Sequence, residues 1–506
     1  MAIKNIIAEI KYSKDLITEL LKVEFNIDKV NSELLYDRII KPHIDKIKAD
    51  SYIVAELPYI DKVYRDSYYN YYSSKLNCYK RDTIRISFFE GIVNQDDFRV
   101  AENIKRIEKA YLGFIVLRPT EPSLIGRSVL SPKALLTNGF KICKTTFQTT
   151  VNSVKFEVKG FPHSSQDAET ISCAETTLWA LMEYFGNKYP EYRPVLPSDI
   201  IKTLKQVSSE RQVPSKGLNI QQMSFALKEY GFGTRIYSRH QYGSSFENLL
   251  SCYIESGIPV IVAMENRPTG NIGHALLCIG HEDLRDGEID KAKEIGSLDA
   301  NLIAIKAKKN IRIADYDDID KKFVFIDDNQ PAYQVADLKQ PAIHYSDRQW
   351  HTCQITYFIA PLYSKIYLEA YEAKSFFTRF LLQGPIPLND NSDIVLRCFL
   401  ASGRSYKDSI AKNTTMQVDL KEMILETSMP KFVWVAELTN KKFLKTKEAK
   451  GLIIIDATEA NLIFNKPLIL AAYDDNVICF DQNLGKLINY ALSLRNFCIF
   501  ENNLQD

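Results

Sequence analysis

The sequence has almost no net charge: 64 Lys and Arg balance 63 Asp and Glu, which leaves +1 over 506 residues. A chain without a net field has no general attraction for nucleic acid or an anionic membrane, so we expect neither as a partner. Long apolar runs are also missing, since none approaches the roughly 18 residues of a membrane-spanning helix. The first residues interrupt a short apolar stretch with charge and lack a small-residue cleavage site. We therefore expect a cytoplasmic protein.

Cysteine pairs at metal-binding spacing are absent as well. The nine cysteines are an odd number, and most lie inside apolar strings such as Leu277-Cys278-Ile279. This usage excludes a disulfide framework and gives no support to a structural zinc site. His344, Asp347 and His351 lie close together, but their spacing matches no zinc motif and favours a loop. We expect no metal and no cofactor.

The length predicts about three domains. The pattern of strands and helices predicts an α+β chain with an N-terminal lobe (1–160), a central domain (161–363) and a C-terminal lobe (364–506). No Gly/Ser-rich or Pro-rich linker separates them, so we expect one compact body. The tyrosine-rich segment 64–79 is predicted to be a half-buried antiparallel ribbon.

In the central domain, helices precede strands. The predicted helices are Ser172–Phe185, Ser198–Ser209, Asn219–Tyr230 and Ser245–Glu255. The predicted strands are Ile258–Glu265, His274–Gly280, Lys322–Ile326 and Thr352–Ile359. The polar stretch 282–309 interrupts the strands and is predicted to be a surface insertion.

One cysteine stands at a predicted helix start. Ser172 followed three residues later by Glu175 is a capping box, which makes Cys173 the first helical residue, and Gly186 stands where a C-terminal cap belongs. Unpaired backbone N–H groups and the positive end of the helix dipole favour a thiolate at that position. A thiolate is the form that attacks an acyl carbon, so Cys173 is the candidate nucleophile.

A base and an orienting acceptor follow in order. His274 begins a mostly apolar strand after a Gly/Pro/Asn turn, and the apolar strand Lys322–Ile326 ends at Asp327 and Asp328. Either carboxylate can accept from the histidine ring and select its tautomer. We favour Asp327, the first residue past the apolar run, while Asp328 stays open and Asn329 is a weaker candidate.

The chain thus has a cysteine at a helix start, a histidine on a later strand and an aspartate at the end of the next strand. In this order of residues it resembles papain-like cysteine peptidases. It is most similar to the bacterial branch that includes the double-glycine leader peptidases of bacteriocins. Gln166, seven residues before Cys173, resembles the glutamine whose side-chain amide binds the oxyanion in that family. The resemblance covers about 164–360. It implies a central papain-like domain, with a helical half carrying the cysteine and an antiparallel sheet carrying the histidine and aspartate.

The resemblance implies a cysteine peptidase that hydrolyses a peptide or isopeptide bond in a protein or peptide partner. Cys173 would be the nucleophile, His274 the base and acid, and Asp327 or Asp328 the orienting group, with Gln166 and the Cys173 N–H binding the oxyanion. An acyl- or amidotransferase shares the first half-reaction and is the first alternative. An inactive papain-like binding module is the second. The flanking lobes show no chemistry of their own, and the sequence leaves the oligomeric state open.

Overall fold

The computed structural model describes residues 3–167, 169–266, 270–295, 299–462, 466–481 and 484–505. Within them the chain is an α+β fold, as expected, and its strands form three seven-stranded sheets and one two-stranded sheet. All strand pairs but one are antiparallel. None of the helices in these residues has the length and apolar character needed to cross a bilayer.

The first sheet has the strand order β1-β2-β3-β4-β5-β8-β7. The strands of this region are β1 (Lys4–Glu9), β2 (Ser51–Tyr59), β3 (Thr83–Glu90), β4 (Tyr111–Leu117), β5 (Ser128–Leu130), β6 (Phe140–Ile142), β7 (Thr145–Val151) and β8 (Val154–His163). The helices are α1 (Ser13–Phe25), α2 (Lys29–Leu35), α3 (Lys41–Ile44), α4 (Lys62–Asn70) and α5 (Ala101–Ala110). Strand β6 leaves this sheet and pairs with the central one.

The tyrosine-rich segment is not a ribbon, and that prediction was wrong. Its first part is helix α4, whose N-terminus is capped by the buried carboxylate of Asp61, which accepts from the backbone N–H of Tyr64 at 2.8 Å. Tyr64 and Tyr72 are buried, and their rings lie 6.1 Å apart. The cap and tertiary burial of these rings outweigh the preference of tyrosine for strands.

The central sheet has the order β14-β13-β11-β10-β15-β9, with β6 added to β11. The strands after β8 are β9 (Phe232–Ser238), β10 (Val260–Asn266), β11 (Gly273–Glu282), β12 (Arg312–Asp315), β13 (Phe323–Ile326), β14 (Gln334–Ala336) and β15 (Cys353–Tyr363). The helices are α6 (Cys173–Lys188), α7 (Pro197–Leu204), α8 (Ile220–Glu229), α9 (Arg239–Tyr242), α10 (Phe246–Glu255), α11 (Asp286–Asp290) and α12 (Ala300–Lys308). The four predicted helices and four predicted strands are thus confirmed to within about five residues.

The third sheet has the order β12-β16-β17-β19-β20-β21-β22. Its region contains β16 (Asp393–Ser402), β17 (Phe432–Thr439), β18 (Glu448–Ala449), β19 (Gly451–Asp456), β20 (Leu468–Tyr473), β21 (Asn476–Asp481), β22 (Lys486–Ala491) and β23 (Phe497–Cys498). The helices are α13 (Ala370–Gln383), α14 (Gly403–Lys412), α15 (Val418–Glu426) and α16 (Lys441–Lys445). Strand β12 comes from the central stretch of the chain and pairs in parallel with β16.

The predicted boundaries near 160 and 363 follow the ends of β8 and β15, but three strand contacts cross them. They are β6 with β11, β12 with β16, and a bridge between Ile142 and Gln505. The predicted insertion 282–309 contains α11 and α12, which pack on α16 and α13. One large cluster of buried apolar residues includes members from all three regions, and three smaller clusters lie beside it. The three regions therefore pack as a single body.

Candidate functional site

Helix α6 begins at Cys173, as the capping box predicts. The carboxylate of Glu175 is buried, accepts from the backbone N–H of Ser172 at 3.1 Å, and binds the Ser172 hydroxyl as well. The hydroxyl of Ser215 donates to the same carboxylate at 2.7 Å. This buried cap fixes where the helix starts and leaves Cys173, which is partly exposed, in its first turn.

The other end of α6 differs from the prediction. The helix continues to Lys188, so Gly186 is a helical residue and not the C-terminal cap. A Cβ at position 186 would lie 2.4 Å from the Pro194 ring. A glycine at position 186 therefore allows the following loop, at Pro194, to pack closely against the helix.

His274 lies near the start of β11, opposite Met264 of β10. The residue is 6% exposed, and the neighbouring Cys173 thiol is one of the groups that raise the pKa of His274. One helical turn after Cys173, the hydroxyl of Thr177 donates to the carbonyl of Ala275 at 3.2 Å. Since residues four apart lie on one helix face, this contact holds α6 against β11 directly beside the thiol and the imidazole.

Asp327 is the acceptor that orients His274. It follows β13, which pairs with β11, and its Oδ1 lies 3.0 Å from His274 Nε2. The carboxylate is fully buried and also accepts from the Tyr345 hydroxyl at 2.8 Å and the Asn329 backbone N–H at 3.0 Å, while His344 Nε2 lies 3.2 Å from Oδ2. Burial opposes its charge, but the His274 charge and these hydrogen bonds hold the pKa of Asp327 below its ordinary range.

The pKa of His274 shifts in the opposite direction. Burial lowers it, but the charge and hydrogen bond of Asp327, the hydrogen bond to Cys173 and the charge of Asp328 raise the pKa of His274 well above its ordinary value. Because Nε2 faces Asp327, Nδ1 is the nitrogen left for the thiol. The site thus favours a protonated imidazole at neutral pH beside the sulfur.

Asp328 occupies a different position. Its Oδ1 lies 3.4 Å from His274 Nε2, but neither oxygen accepts a hydrogen bond from the described residues, and the residue is 5% exposed. Burial, followed by the neighbouring charge of Asp327, raises the pKa of Asp328 to about 7 even though His274 opposes the shift. Of the two aspartates that the sequence left open, Asp327 has the orienting geometry.

Gln166 contacts the turn that follows β13 and carries Asp327 and Asp328. Its side-chain Nε2 donates to Oδ1 of Asn329 at 2.8 Å. The backbone N–H of Asn329 donates to Asp327, so Asn329 supports the turn and is not placed as the acceptor for His274. A primary amide has two N–H groups, so this contact uses one of the two that Gln166 offers.

The segment 344–351, where a loop was predicted from His344, Asp347 and His351, contributes residues that sequence reasoning missed. The Trp350 ring lies 5.4 Å from the His274 ring at 83°, and Tyr345 stacks on Trp350 at 3.9 Å. Trp350 thus packs edge-on against the histidine, and Tyr345, which supports Trp350, also donates to Asp327. The only sequence signal was a cluster of polar and aromatic residues without a helix or strand period.

The residues once weighed as metal ligands have separate partners. His351 Nε2 lies 2.6 Å from the Tyr345 carbonyl, and Asp347 accepts from the Gln349 backbone. Among the described residues, the one group with ligand atoms close enough for a cation is His274, Asp327 and Asp328, within 4.8 Å of one another. A nitrogen that donates its proton to Asp327 has no lone pair for a metal, so this geometry suits a hydrogen-bonded pair of His274 and Asp327.

Asp328 gives the protein a pH-dependent stability. The folded state holds the Asp328 proton up to about pH 7, whereas an unfolded aspartate loses it near pH 3.8, so stability is lost as the pH rises through this window. We expect Asp328→Asn to be more stable than the parent by about 4 kcal/mol above pH 7 and equal to it near pH 4. Urea unfolding between pH 4 and 8 measures this. The exposed Asp390→Asn is the control, and a gap independent of pH would contradict the assignment.

No protein-family model matches the chain, and no curated protein matches it significantly. The geometry of Cys173, His274 and Asp327 is therefore what indicates the chemistry of the site.

Proposed function

We propose that this protein is a papain-like cysteine peptidase that hydrolyses a peptide or isopeptide bond in a protein partner. One observation carries the proposal: a thiol at a helix start neighbours an imidazole whose Nε2 lies 3.0 Å from a buried carboxylate. Nucleophile, base and orienting group stand in the order that acyl transfer requires.

The reaction begins with the thiolate of Cys173 and the imidazolium of His274. The sulfur attacks the carbonyl carbon, and the C–N bond breaks as His274 gives its proton to the leaving amine, which leaves a thioester on Cys173. Water then attacks the thioester and gives its proton to His274. The C–S bond breaks, a carboxylic acid leaves, and the thiolate and imidazolium are restored.

The developing oxyanion needs hydrogen-bond donors. Cys173 is the first helical residue, so its backbone N–H has no partner within the helix. The Gln166 amide keeps one N–H beside its contact with Asn329. We assign these two donors to the oxyanion, each worth about 3 kcal/mol of barrier.

The surrounding architecture supports the papain-like assignment. Helices α6, α7 and α8 form the part that carries Cys173, and an antiparallel sheet carries His274 and the turn with Asp327. The two halves meet where the hydroxyl of Thr177 donates to the carbonyl of Ala275. A thiolate and an imidazolium supplied by opposite halves leave the reacting atoms at the junction, where Cys173 is partly exposed.

The first test is selective alkylation. We expect iodoacetamide at pH 7 to modify Cys173 at least about tenfold faster than the exposed Cys78, because only a thiolate reacts and an unassisted thiol is a few per cent ionised. Peptide mapping by mass spectrometry gives both rates in one sample. Equal rates for Cys173 and Cys78 would favour an inactive binding module.

The second test is catalysis. A peptide library incubated with the protein is expected to show cleavage products that disappear in Cys173→Ala and persist in the matched variant Cys78→Ala. An acyl-enzyme on Cys173 releases a hydroxamate when hydroxylamine is added. Products that form only with an added amine, and carry that amine, would assign the protein to the transferases.

A further inference from the structure

The turn that carries Asp327 is held from the first sheet, whose strand β8 extends the N-terminal lobe to residue 163. His163, the last residue of β8, is 2% exposed, and its Nε2 lies 3.2 Å from the carbonyl oxygen of Asp327 and 2.9 Å from that of Gln330. Both neighbours are acceptors, so Nε2 must carry a proton and share it between them. A single side chain therefore closes the turn behind the orienting carboxylate.

The imidazole of His163 is a neutral donor. Burial lowers the pKa of His163, and the charge of Lys46 lowers it further. The hydrogen bonds to the carbonyls of Asp327 and Gln330 and the charge of Asp327 raise it, but the net effect is a lowered pKa. The ring of His43 lies 5.6 Å away at 57°, and it faces His163 from α3. Two elements of the N-terminal lobe thus meet at this ring.

Other contacts tie the same lobe to both sides of the site. The buried guanidinium of Arg118, directly after β4, donates to the carbonyls of Ser165 (2.7 Å) and Gln166 (3.0 Å) before the nucleophile. The Tyr333 hydroxyl donates to the Leu130 carbonyl at 2.6 Å and accepts from the Phe161 N–H. Among these contacts of the described residues, His163 alone reaches the backbone of Asp327, whose carbonyl also accepts from the Gln330 N–H within the turn at 3.2 Å.

We propose that His163 is a positioning residue that acts through Asp327, so the N-terminal lobe is an integral part of the active site. The inference rests on the proposed function. The two hydrogen bonds that His163 donates to the turn set the direction of the Asp327 carboxylate. That carboxylate in turn fixes the His274 ring against the Cys173 thiol. This gives the N-terminal lobe a chemical role although it contributes no reacting atom.

The test compares three variants in the full-length protein. His163→Phe removes the donor at similar volume, His163→Asn keeps an amide too short to reach both carbonyls, and His163→Gln restores a donor of suitable length. We expect iodoacetamide labelling of Cys173 at pH 6–7 to fall about tenfold in the Phe and Asn variants, and to approach the parent rate at high pH. The Gln variant should stay within about twofold of the parent.

Tyr333→Phe is the matched control, because it removes equally buried hydrogen bonds between the same two regions without touching Asp327. It should lower the melting temperature and leave the pH profile of labelling unchanged. A parent-like profile in folded His163→Phe or His163→Asn, or the same alkaline shift in Tyr333→Phe, would overturn the proposal.

A second readout is independent of cysteine reactivity. The proton that His274 Nε2 shares with Asp327 is expected to give a far-downfield NMR signal in the parent, also when Cys173 is replaced by alanine. The signal should be lost or shifted in His163→Phe and kept in His163→Gln and Tyr333→Phe. An unchanged signal in His163→Phe refutes the positioning role. Slow labelling of Cys173 in the parent refutes the peptidase instead.

Discussion

Replacing His274 by glutamine is expected to slow alkylation of Cys173 at pH 7 by about 30-fold and to eliminate peptide hydrolysis. A glutamine amide can still donate to Asp327, so the buried carboxylate keeps a partner, but an amide cannot take or give a proton. The raised pKa of His274 places a positive charge beside the sulfur at neutral pH, whereas an unassisted thiol near pKa 8.5 is about 3% ionised at pH 7. The labelling rate from pH 6 to 10 measures the loss.

The matched control is His240→Gln on α9, which lies in an exposed position. It should leave the rate at every pH unchanged. The His274→Gln profile should rise only above pH 8, as for an ordinary thiol. Retention of fast labelling at pH 7 in folded His274→Gln protein would mean that another group ionises Cys173.

The second large effect concerns the two adjacent aspartates. Asp327→Asn is expected to slow labelling at pH 7 at least tenfold and to destabilise the fold by about 3–5 kcal/mol, because a fully buried carboxylate with several donors around it is replaced by a neutral amide. The pKa of Asp327 is lowered, so its stabilising contribution is present above about pH 4 and is lost as the pH falls. The stability gap should therefore close in acid.

Asp328→Asn, at the adjacent residue, is the matched control for Asp327→Asn. Its oxygens accept no hydrogen bond from the described residues, so its loss should change neutral-pH labelling by less than threefold and should stabilise the protein. Thermal unfolding and alkylation of both variants, side by side, separate the roles. Equal losses in the two variants would show that the pair orients His274 jointly.

Local patterns were sufficient to predict the ends of the elements that carry the site. The capping box at Ser172 and Glu175 predicts a helix start at Cys173, and the structure confirms it because a cap involves only neighbouring residues. The apolar runs before Asp327 and after His274 likewise predict β13 and β11. Strand pairing then brings the two side chains together, since Leu277 of β11 faces Ile326 of β13.

Local patterns gave wrong predictions where tertiary packing determined the local structure. Tyrosine prefers strands on average, but the Asp61 cap and the burial of Tyr64 and Tyr72 made the segment around them helical. Gly186 suited a helix cap by position, yet it remains helical because Pro194 passes next to it. Both cases depend on partners distant in the chain or on their packing, which no local window contains.

By itself, the amino-acid sequence determined the α+β class, the helix start at Cys173 and the presence of carboxylates at the end of a buried strand. Those features depend on hydrogen bonds and apolar spacing within a few residues. Only the tertiary structure decided between Asp327 and Asp328, because both carboxylates approach His274 but Asp327 alone also has Tyr345 and His344 as partners. It also brought His163 behind the turn, since sheet packing across more than 160 residues of chain creates that contact.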